Sequence, residues 1–194
     1  MKNMSSSTPI LMTFTLGLLS LFSLSMLVRA NESFAHNICN KLQFNGVSKL
    51  CIFEVDSDHR EDLKSSMIGL LTIFVNHSIR NFNDNIVFLK REINSGGFVG
   101  EKRDMFETCL DNFERGTNDL QKSMQILLTQ TGIDVYQLPT TNMEKYVSQC
   151  VENYEDIPIP REWRSRYYTS WDLLNLILAM TNLIKCNSSF PCTH

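Results

Sequence analysis

The stretch from Glu101 to Leu128 limits the possible folds most strongly, because its apolar side chains recur every three or four residues. These are Phe106, Leu110, Phe113, Leu120, Met124 and Leu127, with Thr117 at the one position where the spacing skips. Such spacing places them on one face of an amphipathic helix, whose other faces are polar or charged. An isolated helix is marginally stable in water, so this face has to be buried against other segments. The sequence therefore predicts a helical core around this segment.

A second long helix is predicted from about Asp58 to Ser95. Asp58 can cap its first turn, and Glu61 three positions later completes a reciprocal capping arrangement. Gly96 and Gly97 end the helix. Its apolar face is formed by Leu71, Val75, Ile79, Phe82, Ile86, Leu89 and Ile93.

Two more helices are predicted in the last third of the chain. The shorter one begins at Thr140 or Thr141, and its apolar face carries Met143, Val147, Cys150 and Tyr154. The final helix begins at Arg161, with a seam of Trp163, Tyr167, Trp171, Leu174, Leu178 and Thr181. Only Asn175 is polar between Leu173 and Met180, so this helix is expected to be the most enclosed. Four helices with short connectors indicate an all-α, up-down-up-down four-helix bundle.

Residues 31–56 are predicted to form an N-terminal helical hairpin that precedes the bundle domain, residues 57–194. Asn45-Gly46 is a turn signal, and the apolar residues expected to face each other across it are Ile38, Leu42, Val47, Leu50 and Phe53. A bridge between Cys39 and Cys51 would close this hairpin and stabilise it by about 3 kcal/mol in the chain-entropy model. A free or differently paired cysteine is the alternative.

The first thirty residues have the pattern of a secretory signal peptide. Lys2 is followed by an apolar run from Ile10 to Val28, and Val28-Arg29-Ala30 predicts cleavage after Ala30. The alternative is a retained membrane anchor, because the run is close to the lower length limit for a span. Cleavage leaves a mature chain of 164 residues, for which a secreted, extracellular location without a membrane segment is expected. That length suits a single domain.

Six cysteines lie in the mature chain: Cys39, Cys51, Cys109, Cys150, Cys186 and Cys192. An even set in an oxidising compartment is expected to form disulfides, although six cysteines allow about fifteen connectivities and the sequence alone does not choose among them. Three Asn-x-Ser triplets are candidate glycosylation sites in an exported chain, at Asn31, Asn76 and Asn187.

Charge and motif content argue for a protein-binding function. Removing Lys2 and Arg29 with the leader leaves 16 basic and 21 acidic side chains, a net charge of −5, which argues against a nucleic-acid partner. The histidines are His36, His59, His77 and His194; His59 and His77 are interpreted as surface or cap residues rather than metal ligands. No hydrolase, phosphate-loop or metal motif is present, so neither enzymatic activity nor a cofactor is expected.

Several blocks resemble the plant invertase and pectin methylesterase inhibitor family, over nearly the whole mature chain. They are the N-terminal hairpin with Cys39 and Cys51, Phe106-Glu-Thr-Cys109-Leu-Asp-Asn-Phe113 with Leu120, Cys150-Val-Glu-Asn-Tyr154-Glu155, and the final apolar helix ending Leu178-Ala179-Met180-Thr181-Asn182-Leu183-Ile184. The resemblance implies the pairs Cys39–Cys51 and Cys109–Cys150. It also implies a protein of the apoplast or cell wall that sterically covers the substrate cleft of an enzyme, in a complex expected to be 1:1.

The target is left open between pectin methylesterase, which is favoured slightly, and acid invertase. The chain lacks the small-residue run that is typical of pectin methylesterase inhibitors before Cys150, and the Pro-Lys-Phe triplet of many invertase inhibitors. Cys186 and Cys192 lie outside the family's four-cysteine pattern and are expected to close a terminal loop, with free or intermolecular thiols as the alternative. A secreted helical receptor ligand is the alternative function, although cytokine bundles use long crossover connections.

The final helix begins with the densest cluster of residue types that anchor protein interfaces. The candidate partner-binding residues are Arg161, Trp163, Arg164, Arg166 and Tyr168. The alternative interpretation assigns Trp163 and Tyr167 to the core and the arginines to a solvated face.

Overall fold

The structure is a computed structural model that describes residues 34–42, 46–129, 138–150 and 160–188. Helices and short connectors account for these residues, and no strand occurs among them, so the all-α prediction is confirmed. In chain order the elements are α1 (34–41), α2 (Val47–Ser57), a 3-10 turn (Leu63–Ser65), α3 (Met67–Asn94), α4 (Glu101–Thr129), α5 (Thr140–Ser148) and α6 (Arg161–Ser188). No helix in the described part of the chain is long and apolar enough to cross a membrane.

Helices α3 to α6 form a ring in which each contacts its neighbour in the sequence, and contacts between α6 and α3 close the ring. Phe82 of α3 packs on Phe113 of α4 with ring centroids 4.6 Å apart, and Phe98, just beyond α3, packs on Phe106 at 4.5 Å. Later residues of α3 thus meet earlier residues of α4, so the two helices are antiparallel.

The remaining helix pairs have the same antiparallel relation. Cys109 is bonded to Cys150 across α4 and the end of α5, while the Tyr146 hydroxyl donates to Asp119 at 3.2 Å. On the other side of the ring, α6 runs back along α3 from Trp163 to Leu173. The bundle therefore has the predicted up-down-up-down topology.

Helix α4 follows its predicted course closely. Its bounds, Glu101–Thr129, match the expected segment, and most of the predicted seam is buried, while Leu110 and Met124 are half-buried. The buried strip is wider than the apolar spacing indicated, because it also contains Met105, Asn112, Gly116 and Ser123. Helices α3 and α5 both pack on α4, and Gly116 leaves room for the Phe82 ring of α3.

The predicted start of the second long helix is wrong. Helix α3 begins at Met67, and its cap is Ser66, whose hydroxyl oxygen accepts from the Gly69 N–H at 3.0 Å. Asp58 accepts hydrogen bonds from Arg60 instead, and Glu61 pairs with Lys64 at 2.7 Å. The capping residues predicted from sequence are thus engaged in a separate turn that precedes α3.

The most enclosed segment lies in α3 rather than in α6. Residues 69–75 form the longest run of consecutive buried residues in the described chain, whereas Asn175 and Leu178 are only half-buried between Leu173 and Met180. Helix α3 contacts α2, the 3-10 turn, α4 and α6. The sequence did not reveal this enclosure, since it depends on contacts between segments that are far apart in the chain.

The N-terminal hairpin is present in the described residues, and its disulfide is confirmed. Cys39 and Cys51 are bonded with their Cα atoms 5.5 Å apart. Gly46 precedes α2 with φ of 87°, a left-handed conformation that favours glycine. Ile38 and Leu42 are buried as expected, but the prediction for Phe53 is wrong because 66% of this residue is exposed.

Several predictions fall outside the described residues. They are the signal peptide (1–30), Asn31, Tyr154 and Cys192, together with the side chains of Cys186 and Asn187. In α5, Met143 and Val147 are buried as predicted, while Cys150 follows the helix in a turn and is also buried.

We predict that Gly69→Ala destabilises the protein. A Cβ atom at this position would lie 2.7 Å from the Leu63 carbonyl carbon and 2.8 Å from Leu63 Cα, so backbone would have to move. The helix-propensity gain of up to about 1 kcal/mol is smaller than the overpacking cost of about 1–3 kcal/mol. Urea denaturation measures the difference. Gly97→Ala is the matched control in an exposed turn, and equal stability of both variants would contradict the prediction.

Candidate interaction surface

The cluster predicted on α6 divides between the core and two outer faces. Trp163 is fully buried and stacks on Phe88, with ring centroids 5.8 Å apart. Its side chain offers no surface to a partner, in agreement with the alternative interpretation. Arg161, Arg164 and Tyr168 are exposed and share one outer face, as their spacing of three and four requires. The half-buried Arg166 turns toward α3 instead.

A groove runs along α3 and α6, with α2 at one end. It consists of two depressions of about 250 and 370 Å³ that share Asp84. The residues that line the smaller one are Asp84, Val87, Phe88, Arg91 and Arg166. The larger one includes Phe53, His77, Arg80, Asn81, Thr169 and Leu173. Among the predicted candidates, only Arg166 takes part, so sequence reasoning missed most of this surface.

The end of the groove farthest from α2 is aromatic and carries two arginines, of which Arg91 is also paired with Glu92 at 2.9 Å. The Phe88 ring lies under two guanidinium groups, with Arg91 Cζ 5.1 Å and Arg166 Cζ 4.8 Å from its centroid. Glu162 lies 3.3 Å from Arg166 and 3.9 Å from Arg91. Because the other face of Phe88 stacks on the buried Trp163, the position of the ring is set by the core. The two arginines are therefore held side by side on the surface.

A small polar network forms the floor between α3 and α6. Asn85 Nδ2 donates to Ser170 Oγ at 2.7 Å, and Ser170 Oγ donates to Asn81 Oδ1 at 2.6 Å. Asn85 and Ser170 are fully buried. Pairing of buried polar groups across two helices fixes their register, since a shift would leave these groups unpaired. The groove walls are thus held at a fixed spacing.

At the α2 end, His77 lies between two carboxylates. Its Nδ1 contacts Glu54 of α2, and its Nε2 lies 3.2 Å from Asp58 Oδ2. Glu54 and Asp58 are buried, and the interpretation of His77 as a surface or cap residue is therefore wrong. The two carboxylates lie 23 and 19 positions earlier in the chain, so no local spacing could reveal this cluster. The described residues contain no group of three or more ligands arranged to hold a metal ion.

Arg60 determines the charge state of Asp58. Its backbone N–H and Nε donate to Asp58 Oδ1 at 2.8 and 2.9 Å. The side-chain hydrogen bonds from Arg60 hold the pKa of Asp58 well below its usual value, and this effect outweighs the opposite effect of burial. The ionised, buried carboxylate of Asp58 therefore stabilises the turn before α3 through its hydrogen bonds with Arg60.

We predict that the stability contributed by Asp58 depends on pH. Because the folded-state pKa is lowered, the contribution is complete above the unfolded value of 3.8 and is lost as the pH falls below it. At pH 7, Asp58→Asn should cost about 1.5–3 kcal/mol, the range for hydrogen bonds to charged groups. Urea denaturation of parent and variant from pH 7 to 2 measures the difference, which should shrink below the unfolded value.

The matched control for that variant is Asp111→Asn. Asp111 forms an exposed pair with Arg115 on α4 at 2.7 Å, and removing a pair of this kind changes stability by less than about 0.5 kcal/mol. An Asp58→Asn effect that is equally small, or that persists unchanged at pH 2, would contradict the assignment of Asp58 as an ionised anchor.

The candidate glycosylation site Asn76 lies within α3 and is half-buried. With its amide oxygen turned toward the neighbouring arginines, it accepts from Arg80 Nη2 at 2.7 Å and Arg60 Nη2 at 3.3 Å. Glycosylation at this position stays a prediction.

A scan of the sequence against protein-family models finds no match, and a search of curated proteins also finds none.

Proposed function

We propose that the protein is a secreted inhibitor that covers the substrate cleft of a plant cell-wall carbohydrate-active enzyme, with pectin methylesterase slightly favoured over acid invertase. The observation that carries the proposal is the disulfide pattern. The bonds Cys39–Cys51 and Cys109–Cys150 are the two pairs implied by the resemblance to invertase and pectin methylesterase inhibitors. One closes the hairpin and the other ties α4 to the end of α5, which is the arrangement expected for a protein of an oxidising compartment.

The mechanism is steric and requires no chemistry in the inhibitor. A stable complex needs roughly 800 Å² of surface on each partner, with a few aromatic or arginine anchors near its centre. The outer faces of α3 and α6 supply such side chains, since Tyr168 is 56% exposed and Arg91 and Arg166 lie together over Phe88. A bundle tied by disulfides loses little conformational entropy on binding, which favours a tight complex.

Parallel inhibition assays test the proposal. The protein is secreted from a eukaryotic host and added in excess to a plant pectin methylesterase, to a cell-wall invertase and to a vacuolar invertase. We expect loss of pectin methylesterase activity and unchanged invertase activities. The control is the same sample after reduction and alkylation, which should lose the inhibition because the bundle loses both bonds.

The results distinguish the alternatives directly. Loss of activity in an invertase assay alone would assign the protein to the invertase inhibitors. Full activity of all three enzymes at a large excess of folded protein would overturn inhibition of these enzymes. In that case, saturable binding to membranes from plant cells would favour the receptor-ligand alternative.

A further inference from the structure

We infer that the contact between Glu54 and His77 requires a proton and makes the packing of the N-terminal hairpin on the bundle dependent on pH. Glu54 belongs to α2, the second helix of the hairpin, and His77 belongs to α3. The contact therefore joins two units that are otherwise held together by apolar packing. This pH dependence is a property of the fold and is independent of the proposed function.

Both ring nitrogens of His77 face carboxylate oxygens. Nδ1 contacts Glu54 Oε2, and Nε2 lies 3.2 Å from Asp58 Oδ2. The three side chains are enclosed, because 10% of His77, 11% of Glu54 and 2% of Asp58 is exposed. Hydrogen bonds in such a place are strong when they are complete, and an unpaired polar group there is costly.

The number of protons in this cluster follows from its donors and acceptors. Asp58 is an acceptor, because the hydrogen bonds from Arg60 hold its pKa well below the usual value and an ionised carboxylate has no proton to donate. Nε2 of His77 therefore carries the proton of that contact. The hydrogen bond between Nδ1 and Glu54 requires a second proton, whether the nitrogen or the carboxylate carries it. The Glu54–His77 pair thus holds one proton that the contact with Asp58 does not supply.

Loss of this second proton would turn an attraction into a repulsion. The lone pair of Nδ1 would then face an ionised carboxylate, and two buried acceptors in contact leave each other unpaired. The packed hairpin consequently favours the protonated pair. Its stabilising effect is complete at acid pH and is lost as the pH rises through the range in which the pair releases the proton.

The charged groups near this contact lie on α2, on the turn before α3 and on α3 itself. They are Glu54, Asp58, Arg60, Arg80 and Asp84. Arg80 donates to Asn76, and α6 contributes Thr169 and Leu173 to the same depression, neither of which titrates. Within the described part of the chain, the carboxylates paired with His77 are those of Glu54 and Asp58. Because Asp58 is ionised throughout the neutral range, the Glu54–His77 pair is the part of the cluster that titrates there.

Amide hydrogen exchange of the full secreted protein measures how readily α2 separates from the bundle. Exchange is followed by mass spectrometry at about pH 5 and about pH 8, the range in which histidine ordinarily changes charge. Protection factors remove the direct effect of pH on the exchange reaction. Protection of α2 should fall at least about tenfold between the two pH values, since a hydrogen bond to a charged group is lost. Peptides from α4 report global unfolding and should change by less than about threefold.

Two substitutions locate the proton. In Glu54→Gln, the neutral amide can donate to a deprotonated Nδ1, so the contact no longer requires the second proton. Protection of α2 in this variant should be the same at both pH values. His77→Gln removes the imidazole, and it should lower the protection of α2 about tenfold at acid pH with no further fall at higher pH.

The control variants keep the Glu54–His77 contact. His59 is exposed in the turn before α3, and His36 forms an exposed pair with Asp56 at 2.8 Å within the hairpin. His59→Gln and His36→Gln should both retain the pH dependence of the parent protein. Unchanged protection of α2 in the parent at the two pH values would overturn the inference, and so would an undiminished fall in Glu54→Gln. If His77→Gln does not fold, the Glu54→Gln variant decides alone.

Discussion

Trp163→Ala is expected to remove about 3–5 kcal/mol of the free energy of unfolding, the range for truncating a large buried aromatic residue. Trp163 has no exposed surface and lies at the centre of an aromatic cluster. Its ring lies 5.8 Å from Phe88, 5.8 Å from Phe106 and 5.6 Å from Phe113, measured between centroids. It therefore joins α6 to both α3 and α4, and the cavity left by alanine would face three helices. Guanidinium denaturation followed by far-UV circular dichroism measures the loss.

Two companion variants make this prediction specific. Trp163→Phe should cost less, because it keeps most of the apolar volume and removes an indole N–H that is buried without a partner in the described residues. Tyr168→Ala, five positions later on the exposed face of α6, should change stability by less than about 0.5 kcal/mol. A Trp163→Ala variant as stable as Tyr168→Ala would show that the tryptophan is not a core residue.

The Trp163→Ala substitution should also change the arrangement of side chains on the surface of the groove. Phe88 stacks on Trp163 with its ring nearly parallel, at 5°, and the guanidinium groups of Arg91 and Arg166 lie over that same ring. Loss of the stacking partner frees Phe88 to turn into the cavity. Core packing and the geometry of the groove are thus coupled through one aromatic ring.

Removing the Cys109–Cys150 bond with two alanines is expected to cost about 4 kcal/mol, and removing Cys39–Cys51 about 3 kcal/mol. The estimates follow from loop-closure entropy in the unfolded chain, for bonds that join residues 41 and 12 positions apart. All four cysteines are fully buried, so the packing lost on replacement by alanine is similar for the two pairs. The difference of about 1 kcal/mol therefore isolates the effect of loop length.

Denaturation midpoints of the two double variants, measured without reductant, test this order. The parent protein under reducing conditions should approach the sum of the two losses. The result that contradicts this prediction is a variant without Cys39–Cys51 that is less stable than the variant without Cys109–Cys150. Loop entropy would then not be the main contribution of the disulfides to stability, and the packing of α1 and α2 on the bundle would depend on the Cys39–Cys51 bond itself.

Much of the fold could be predicted from sequence because helix formation leaves a local signature. The seam of α4 repeats every three or four residues, and its predicted course agrees with the helix to within one residue at each end. The same periodicity located the middle of α3, and α6 begins at Arg161 as predicted, directly after Pro160. The two described disulfides were implied by the resemblance to a family, since spacing alone left about fifteen connectivities open.

The candidate surface was largely beyond prediction, because its parts come together only through packing of segments that are far apart in sequence. Asp58 had the sequence context of a helix cap, yet Arg60 and His77 bind it. Phe53 had the spacing of a buried residue, yet it is exposed at the edge of the groove. Tyr168 and Arg166 are two positions apart, but helix geometry directs them to different faces, and only Arg166 faces α3.

The sequence by itself determined that this chain forms amphipathic helices, roughly where they run, and which of their faces are apolar, because those properties depend on neighbours within a few residues. The tertiary structure alone decided which apolar faces meet, that α2 packs on α3 and α6, and which charges are brought together beside Asp84 and His77. The physical reason is that burial and electrostatic pairing depend on distances in space, which helix packing sets between residues as far apart as Phe53 and Leu173.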